Sequence, residues 1–210
     1  MAGVIKLPLE VLKPYIWEFP QEPGLLNFSD FFGNTNPVEL EVGFGKGLFL
    51  LTASEHHPER NFLGIEIERK YHLLTANRIA KRERKNVRVI CGDAKVFLPN
   101  FVPEQSISAL HVYFPDPWWK NRHRKRRLFT EEFSQQCERI LQPGGIFHLV
   151  SDVEEYFLIM TEIMSHRTLL MRQPPPEVKS PDHDLDYLTN FERKYRKEGR
   201  PIYRTAYVRR

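Results

Sequence analysis

From Val38 onward, short strand-like runs alternate with helical stretches, and that alternation leaves few folds open. Val38–Val42 (V-E-L-E-V) reads as a strand, followed by glycines and a helix from Lys46 to about Glu55. Asn61–Glu66 reads as a second strand, before a long helix reaching about Arg84. Val87–Cys91 and Ile107–Phe114 read as the third and fourth strands. A helix over Thr130–Leu141 leads through Pro143-Gly144-Gly145 into a strand at Ile146–Ser151, and a last strand is expected at Ile202–Val208. Strands separated by helices at this spacing predict an α/β fold, a mostly parallel sheet with helices on both faces.

Residues 1–37 differ. Five prolines (Pro8, Pro14, Pro20, Pro23, Pro37) discourage long helices, so this stretch is expected to be an irregular arm held to the body by Tyr15, Trp17, Phe19, Phe31 and Phe32. Residues 38–210 form the expected domain, and 210 residues suit one domain with a modest extension. No apolar run approaches the roughly 20 residues of a membrane span, and Lys6, Pro8 and Glu10 interrupt any secretory stretch. Two cysteines, Cys91 and Cys137, are too few for a disulfide framework or a zinc site, and the His56-His57 pair lacks metal-ligand partners at useful spacing. A cytoplasmic protein without a metal or membrane partner is therefore expected, with monomer and homodimer both open.

In an open parallel sheet, ligands bind beyond the carboxyl ends of the strands. The first strand runs into Glu41-Val-Gly43-Phe-Gly45-Lys-Gly47. This G-x-G-x-G spacing is not the G-x-G-x-x-G of a dinucleotide pyrophosphate site. Glu41, just before the turn, would repel a pyrophosphate and attract an ammonium. Glu66, ending the second strand, can accept from both ribose hydroxyls, and Asp93, after the third, from an adenine amino group. Acids at three successive strand ends describe a nucleoside ligand with a cationic amine and no phosphate, which is S-adenosylmethionine. The expected fold is thus a Rossmann-like, class I S-adenosylmethionine-dependent methyltransferase, with Glu41, Gly43, Gly45, Glu66 and Asp93 at the cofactor.

The fourth strand ends in Phe114-Pro115-Asp116-Pro117-Trp118-Trp119-Lys120. Two prolines fix their own φ and keep each preceding residue out of the helical region, so Asp116 is expected on a stiff, extended loop. E-V-G-F-G-K-G, G-I-E, G-D-A, F-P-D-P-W-W-K-N-R-H, Ser151-Asp152 and T-N-F-E at Thr189–Glu192 together resemble the bacterial tRNA (guanine-N7-)-methyltransferase family over roughly residues 38–210. That resemblance implies methylation of guanine 46 in the variable loop of tRNA. It implies cofactor contacts by Glu41, Glu66, Asp93 and Asp116, with Asp116 also catalytic. It further implies substrate contacts by Lys120, Asp152, Thr189, Asn190, Phe191 and Glu192. Either Trp118 or Trp119 can face the base. An adenine amino-methyltransferase is disfavoured by the order P-D-P-W, and a nicotinamide enzyme by the glycine spacing. A non-catalytic RNA-binding module, with structural acids, is the remaining alternative.

Charge placement agrees with a polyanionic partner. Residues 120–127 hold six Lys or Arg and no acid, and residues 191–210 hold eight against two acids. These stretches carry a net +12 within a chain of +4, leaving −8 on the rest. Arg122, Arg124, Lys125, Arg126 and Arg127 are expected to contact tRNA phosphates beside the reactive loop. The run Arg78, Lys81, Arg82, Arg84, Lys85 reads instead as a solvated helix end.

Overall fold

The computed structural model describes residues 7–19, 22–119, 122, 126–175 and 189–210. The arm carries α1 (Leu9–Leu12), a 3-10 turn, β1 (Ile16–Trp17) and α2 (Phe28–Phe32). The body follows as β2 (Val38–Val42), α3 (Leu48–His56), β3 (Asn61–Glu66), α4 (Arg69–Lys81), β4 (Val87–Cys91), α5 (Ala94–Phe101) and β5 (Ile107–Tyr113). It continues with α6 (Glu131–Ile140), β6 (Leu141–Ser151), α7 (Glu154–Arg167), β7 (Met171–Gln173), α8 (Asn190–Lys197) and β8 (Tyr203–Val208).

One eight-stranded sheet has the order β1-β4-β3-β2-β5-β6-β8-β7. All pairings are parallel from β1 to β6, whereas β8 runs antiparallel between β6 and β7. The sequence expectation of a mostly parallel α/β sheet is met, and the arm adds a strand to it, Ile16 pairing with Val89 and Trp17 with Ile90.

Every residue of β2 is buried, as covering both faces of a parallel sheet requires. Strand alternation sends Val38, Leu40 and Val42 to a core shared with α5, α6 and α7 through Phe97, Phe133 and Met160. The opposite face receives Phe49 and Leu50 of α3 and Ala76 and Ile79 of α4. Alternation therefore puts Glu39 and Glu41 on that second face, where β5 contributes His111 and Tyr113. His111 Nε2 lies 2.8 Å from Glu39 Oε2, its Nδ1 shares a 2.8 Å hydrogen bond with the Tyr113 hydroxyl, and His148 stacks on it at 5.0 Å. This buried polar strip crosses the sheet beneath α3.

The arm is fastened by aromatic edges. Trp17 meets Phe31, Phe97 and Phe101, and Phe19 meets Phe97 and Phe101. Phe19 also covers Gly92, where an added Cβ would lie 2.5 Å from its ring. The arm thus ends against the base of the Gly92-Asp93 turn. Among the described residues, no helix is long and apolar enough to cross a membrane, and no three His, Cys, Asp or Glu gather as metal ligands.

Candidate active site

The carboxyl ends of β2, β3, β4 and β5 converge, and with them Glu41, the glycine turn, Glu66, Asp93 and Asp116. Gly43, Gly45 and Gly47 all adopt positive φ, at 78°, 52° and 69°. The first two would point a Cβ into open space, whereas a Cβ on Gly47 would lie 2.2 Å from Thr75. Gly47 is therefore required for α3 to start against α4, and Gly43 and Gly45 leave the floor of the site bare.

Glu66 is the bracket of this turn. Its Oε2 accepts from Gly45 N at 2.8 Å and its Oε1 from Glu68 N at 2.9 Å. Each oxygen retains a lone pair for a ribose hydroxyl, so the carboxylate shapes the glycine turn and presents an acceptor edge at once. Asp93 caps α5, accepting from Lys95 N at 2.9 Å through Oδ1, so its cap role is real and one oxygen remains for a ligand. Ile67, between Glu66 and Glu68, is 65% exposed, an apolar face offered at the strand end. The sequence reading passed over it because a lone exposed isoleucine carries no pattern.

Glu41 is buried, and its Oε2 has no hydrogen-bond partner. Burial, then the nearby Glu66 charge, push its carboxyl well above the usual range. A buried, unsatisfied acceptor is costly. A cationic amine would satisfy it, and the bare glycine floor admits a ligand's main chain alongside. The residues present therefore fit S-adenosylmethionine, whose ammonium, ribose and purine would meet Glu41, Glu66, and Asp93 with Ile67.

The loop after β5 is under backbone strain at both ends. Phe114 has φ 54° and Trp118 φ 44°, values unusual for bulky side chains, each costing on the order of 1–3 kcal/mol. They bracket Pro115-Asp116-Pro117. Asp116 remains accessible to solvent, yet partial desolvation, then the charge of Asp152, raise its carboxyl above its ordinary value. Asp152 is half sheltered, 3.4 Å from Arg200 Nη1, and its charge helps to raise the nearby Tyr195 hydroxyl above its ordinary value, after burial. Two carboxyls thus face one mouth.

Trp118 and Trp119 diverge. Arg126 lies over the Trp118 ring at 5.3 Å. Trp119 packs edge-on to Tyr156, with Arg127 over both rings at 5.2 and 5.5 Å. Arg127 Nε also donates to Pro117 O at 2.6 Å. Arg127, expected to meet phosphates, is instead a clamp beneath the reactive loop. Arg122 and Arg126 are exposed. Lys120, Arg124 and Lys125 lie outside the described residues.

The T-N-F-E segment resolves into distinct roles. Thr189 caps α8, its hydroxyl accepting from Glu192 N at 3.0 Å. Asn190 Oδ1 accepts from Arg193. Phe191 is 50% exposed and, with Tyr195, packs against Phe114 of the reactive loop. Glu192, expected to contact substrate, is 1% exposed and paired with Arg204 at 2.7 Å and Arg196 at 3.0 Å. Its burial makes it an anchor of α8 to β8, and only Phe191 and Asn190 face outward. Thr-x-x-Glu is the sequence signature of a helix cap, the signal that separates these roles.

Basic residues of the C-terminal stretch also turn inward. Arg209 Nη1 donates to the carbonyls of Glu138, Arg139 and Leu141, closing the end of α6. At the opposite end of the sheet, a cavity of about 560 Å³ is lined by Glu39, Arg60, His111 and His148, far from the strand ends that carry the glycine turn.

A family model described as "Putative methyltransferase" matches residues 35–205. A tRNA (guanine-N(7)-)-methyltransferase of Rhodopirellula baltica is 43% identical over 194 residues, covering 90% of this chain and 72% of that protein. One from Hydrogenovibrio crunogenus is 36% identical over 188 residues, covering 90% and 78%. Among solved structures, the aminoglycoside resistance methyltransferase NpmB1 superposes with TM-score 0.61 at 15% identity, covering 89% of this chain and 95% of that one. A precorrin-6y C5,15-methyltransferase from Geobacter metallireducens gives 0.58 at 14% identity, covering 91% and 93%. These two likenesses concern the fold.

Proposed function

Because the chain belongs to the tRNA (guanine-N7-)-methyltransferase family, we propose that its site methylates N7 of a guanine in tRNA, guanine 46 of the variable loop, with Asp116 against the base. The observation that carries this reading is the juxtaposition of Asp116, on the strained loop after β5, with Asp152 at the end of β6, beside an S-adenosylmethionine-shaped floor. S-adenosylmethionine supplies an electrophilic methyl group on a sulfonium.

Guanine N7 is an in-plane lone pair and carries no proton. The site therefore needs no general base, only alignment, which can contribute on the order of 7–11 kcal/mol. Guanine's opposite edge presents N–H donors, and two acceptor carboxyls suit them. Asp116, held by Pro115 and Pro117, and Asp152, steadied by Arg200, grip that edge and turn N7 toward the cofactor side. A carboxylate fixed beside a purine gaining positive charge stabilises the transition state without reorganising. Phe191 provides a partly exposed ring against which a flipped base or neighbour can stack.

The reading is tested by incubating unmodified tRNA with the protein and S-adenosylmethionine and analysing nucleosides by mass. 7-Methylguanosine at position 46 is expected; methylation of another base or of no base overturns it. Asp116→Asn is expected to slow single-turnover methylation while cofactor affinity stays within a few fold, measured by titration calorimetry. An unaltered rate removes Asp116 from the reaction.

A further inference from the structure

Arg78 does not behave as a charged helix end. Its side chain folds over the glycine turn, Nη1 donating to Lys46 O at 2.7 Å. One turn further along α4, Arg82 reaches back to Arg78 O at 3.3 Å. From the other side α8 brings Arg193, so close that burial and then the charges of Arg82 and Arg193 hold Arg78 below its ordinary range. Among the described residues the neighbouring ion pairs engage Arg84 with Glu55 and Lys194 with Glu198, and neither Arg78 nor Arg82 has a carboxylate partner. Lys46, whose carbonyl Arg78 holds, is exposed.

Arg78 and Arg82, neighbouring guanidiniums with no carboxylate partner among the described residues, repel each other, and folding bears that repulsion. A row of cations joining two elements is complementary to a phosphodiester strand. Its position adds direction, since Arg193 lies two residues from Phe191, whose ring packs on the reactive loop at Phe114. A strand whose base enters at Asp116 would leave across α8 and the glycine turn.

We propose that Lys46, Arg78, Arg82 and Arg193 form a phosphate-binding ridge that carries the tRNA backbone over the glycine turn, on the opposite flank of the site from Arg122 and Arg126. This rests on the tRNA-methyltransferase reading and names a second half of its substrate surface. Backbone contacts of this kind position the RNA and carry no sequence information.

The test measures binding of an unmodified tRNA transcript to the full chain across a salt series. Arg82→Gln with Arg193→Gln is expected to weaken binding and to flatten log affinity against log salt by roughly 1.4–1.8, two contacts at 0.7–0.9 each. Lys85→Gln, exposed beyond α4, is expected to leave the slope unchanged. If the double variant does not fold, Arg82→Gln alone carries the test with half the flattening. A folded variant with wild-type affinity and slope overturns the ridge, as does an equal loss in Lys85→Gln, which would mark a diffuse charge effect. Absence of tRNA binding or 7-methylguanosine in the unaltered protein would instead strike the functional reading itself.

Discussion

At the scale of single residues, the reactive loop shows how a carboxylate is held where relaxed backbone would not leave it. Phe114 and Trp118 take φ values of 54° and 44°, and something must offset that cost. Arg127 does so from below, through its hydrogen bond to Pro117 and its stacking on Trp119 and Tyr156. Lysine keeps the charge but lacks the planar fork and the Nε donor. Arg127→Lys is therefore expected to lower the single-turnover rate on the order of tenfold, the loss of one stacked contact, with the salt slope of tRNA binding intact. Were Arg127 a phosphate ligand, lysine would serve and the rate would hold. The P-D-P rigidity was legible in the sequence, because proline acts on its own φ. The inward turn of Arg127 was not, since a run of like charges reads identically whether one member faces solvent or a tryptophan. Arg78 hid for the same reason.

At the scale of elements, α8 is a charged helix whose place depends on one buried acid. Glu192 binds Arg204 of β8 and Arg196 of its own helix, and Thr189 closes the first turn. Removing one member of a buried pair leaves the other uncompensated. Glu192→Gln is expected to cost about 3–5 kcal/mol in urea unfolding and to release Phe191 from Phe114, raising KM for tRNA. A variant as stable as the parent would show that the pair does not anchor α8. The strands β2 to β5 were legible because apolar runs punctuated by glycine and proline have little else to become. β1 and β7, two and three residues long, were not, because only pairing with β4 and β8 defines them. Neither α5, which carries Pro99 inside it, nor α7 was legible.

At the scale of the whole molecule, the polar strip through the sheet ties stability to pH. His148, half-buried and stacked on His111, is held down to about 3 from 6.5, desolvation first and the His111 charge second. Glu39 is held at about 2 from 4.5 against its burial, by its hydrogen bonds and ion pairs with His111 and Arg60. Both values are depressed, so both contributions are complete above the unfolded values and are lost as pH falls, His148 from 6.5 toward 3 and Glu39 from 4.5 toward 2. Between pH 6.5 and 4.5 the decline belongs to His148 and to His72, which burial likewise holds below its ordinary value, each with a limiting slope of about 1.4 kcal/mol per unit. His148→Phe keeps a ring on His111 and is expected to remove the His148 share of that slope from urea-derived stability, leaving the share of His72. Parallel decline in both proteins would exclude the neutral His148 imidazole as a source; Glu41, raised in both, and His72, lowered in both, cancel in the comparison. Finally, β8 sits between β6 and β7, and it is made after them. On the ribosome, β7 must wait without a neighbour until Tyr203–Val208 slides in, and the same event delivers α8 to the reactive loop. A nascent chain interrupted before Tyr203 would own every acid of the candidate site and still lack the strand that joins β7 to the sheet and holds α8 in place.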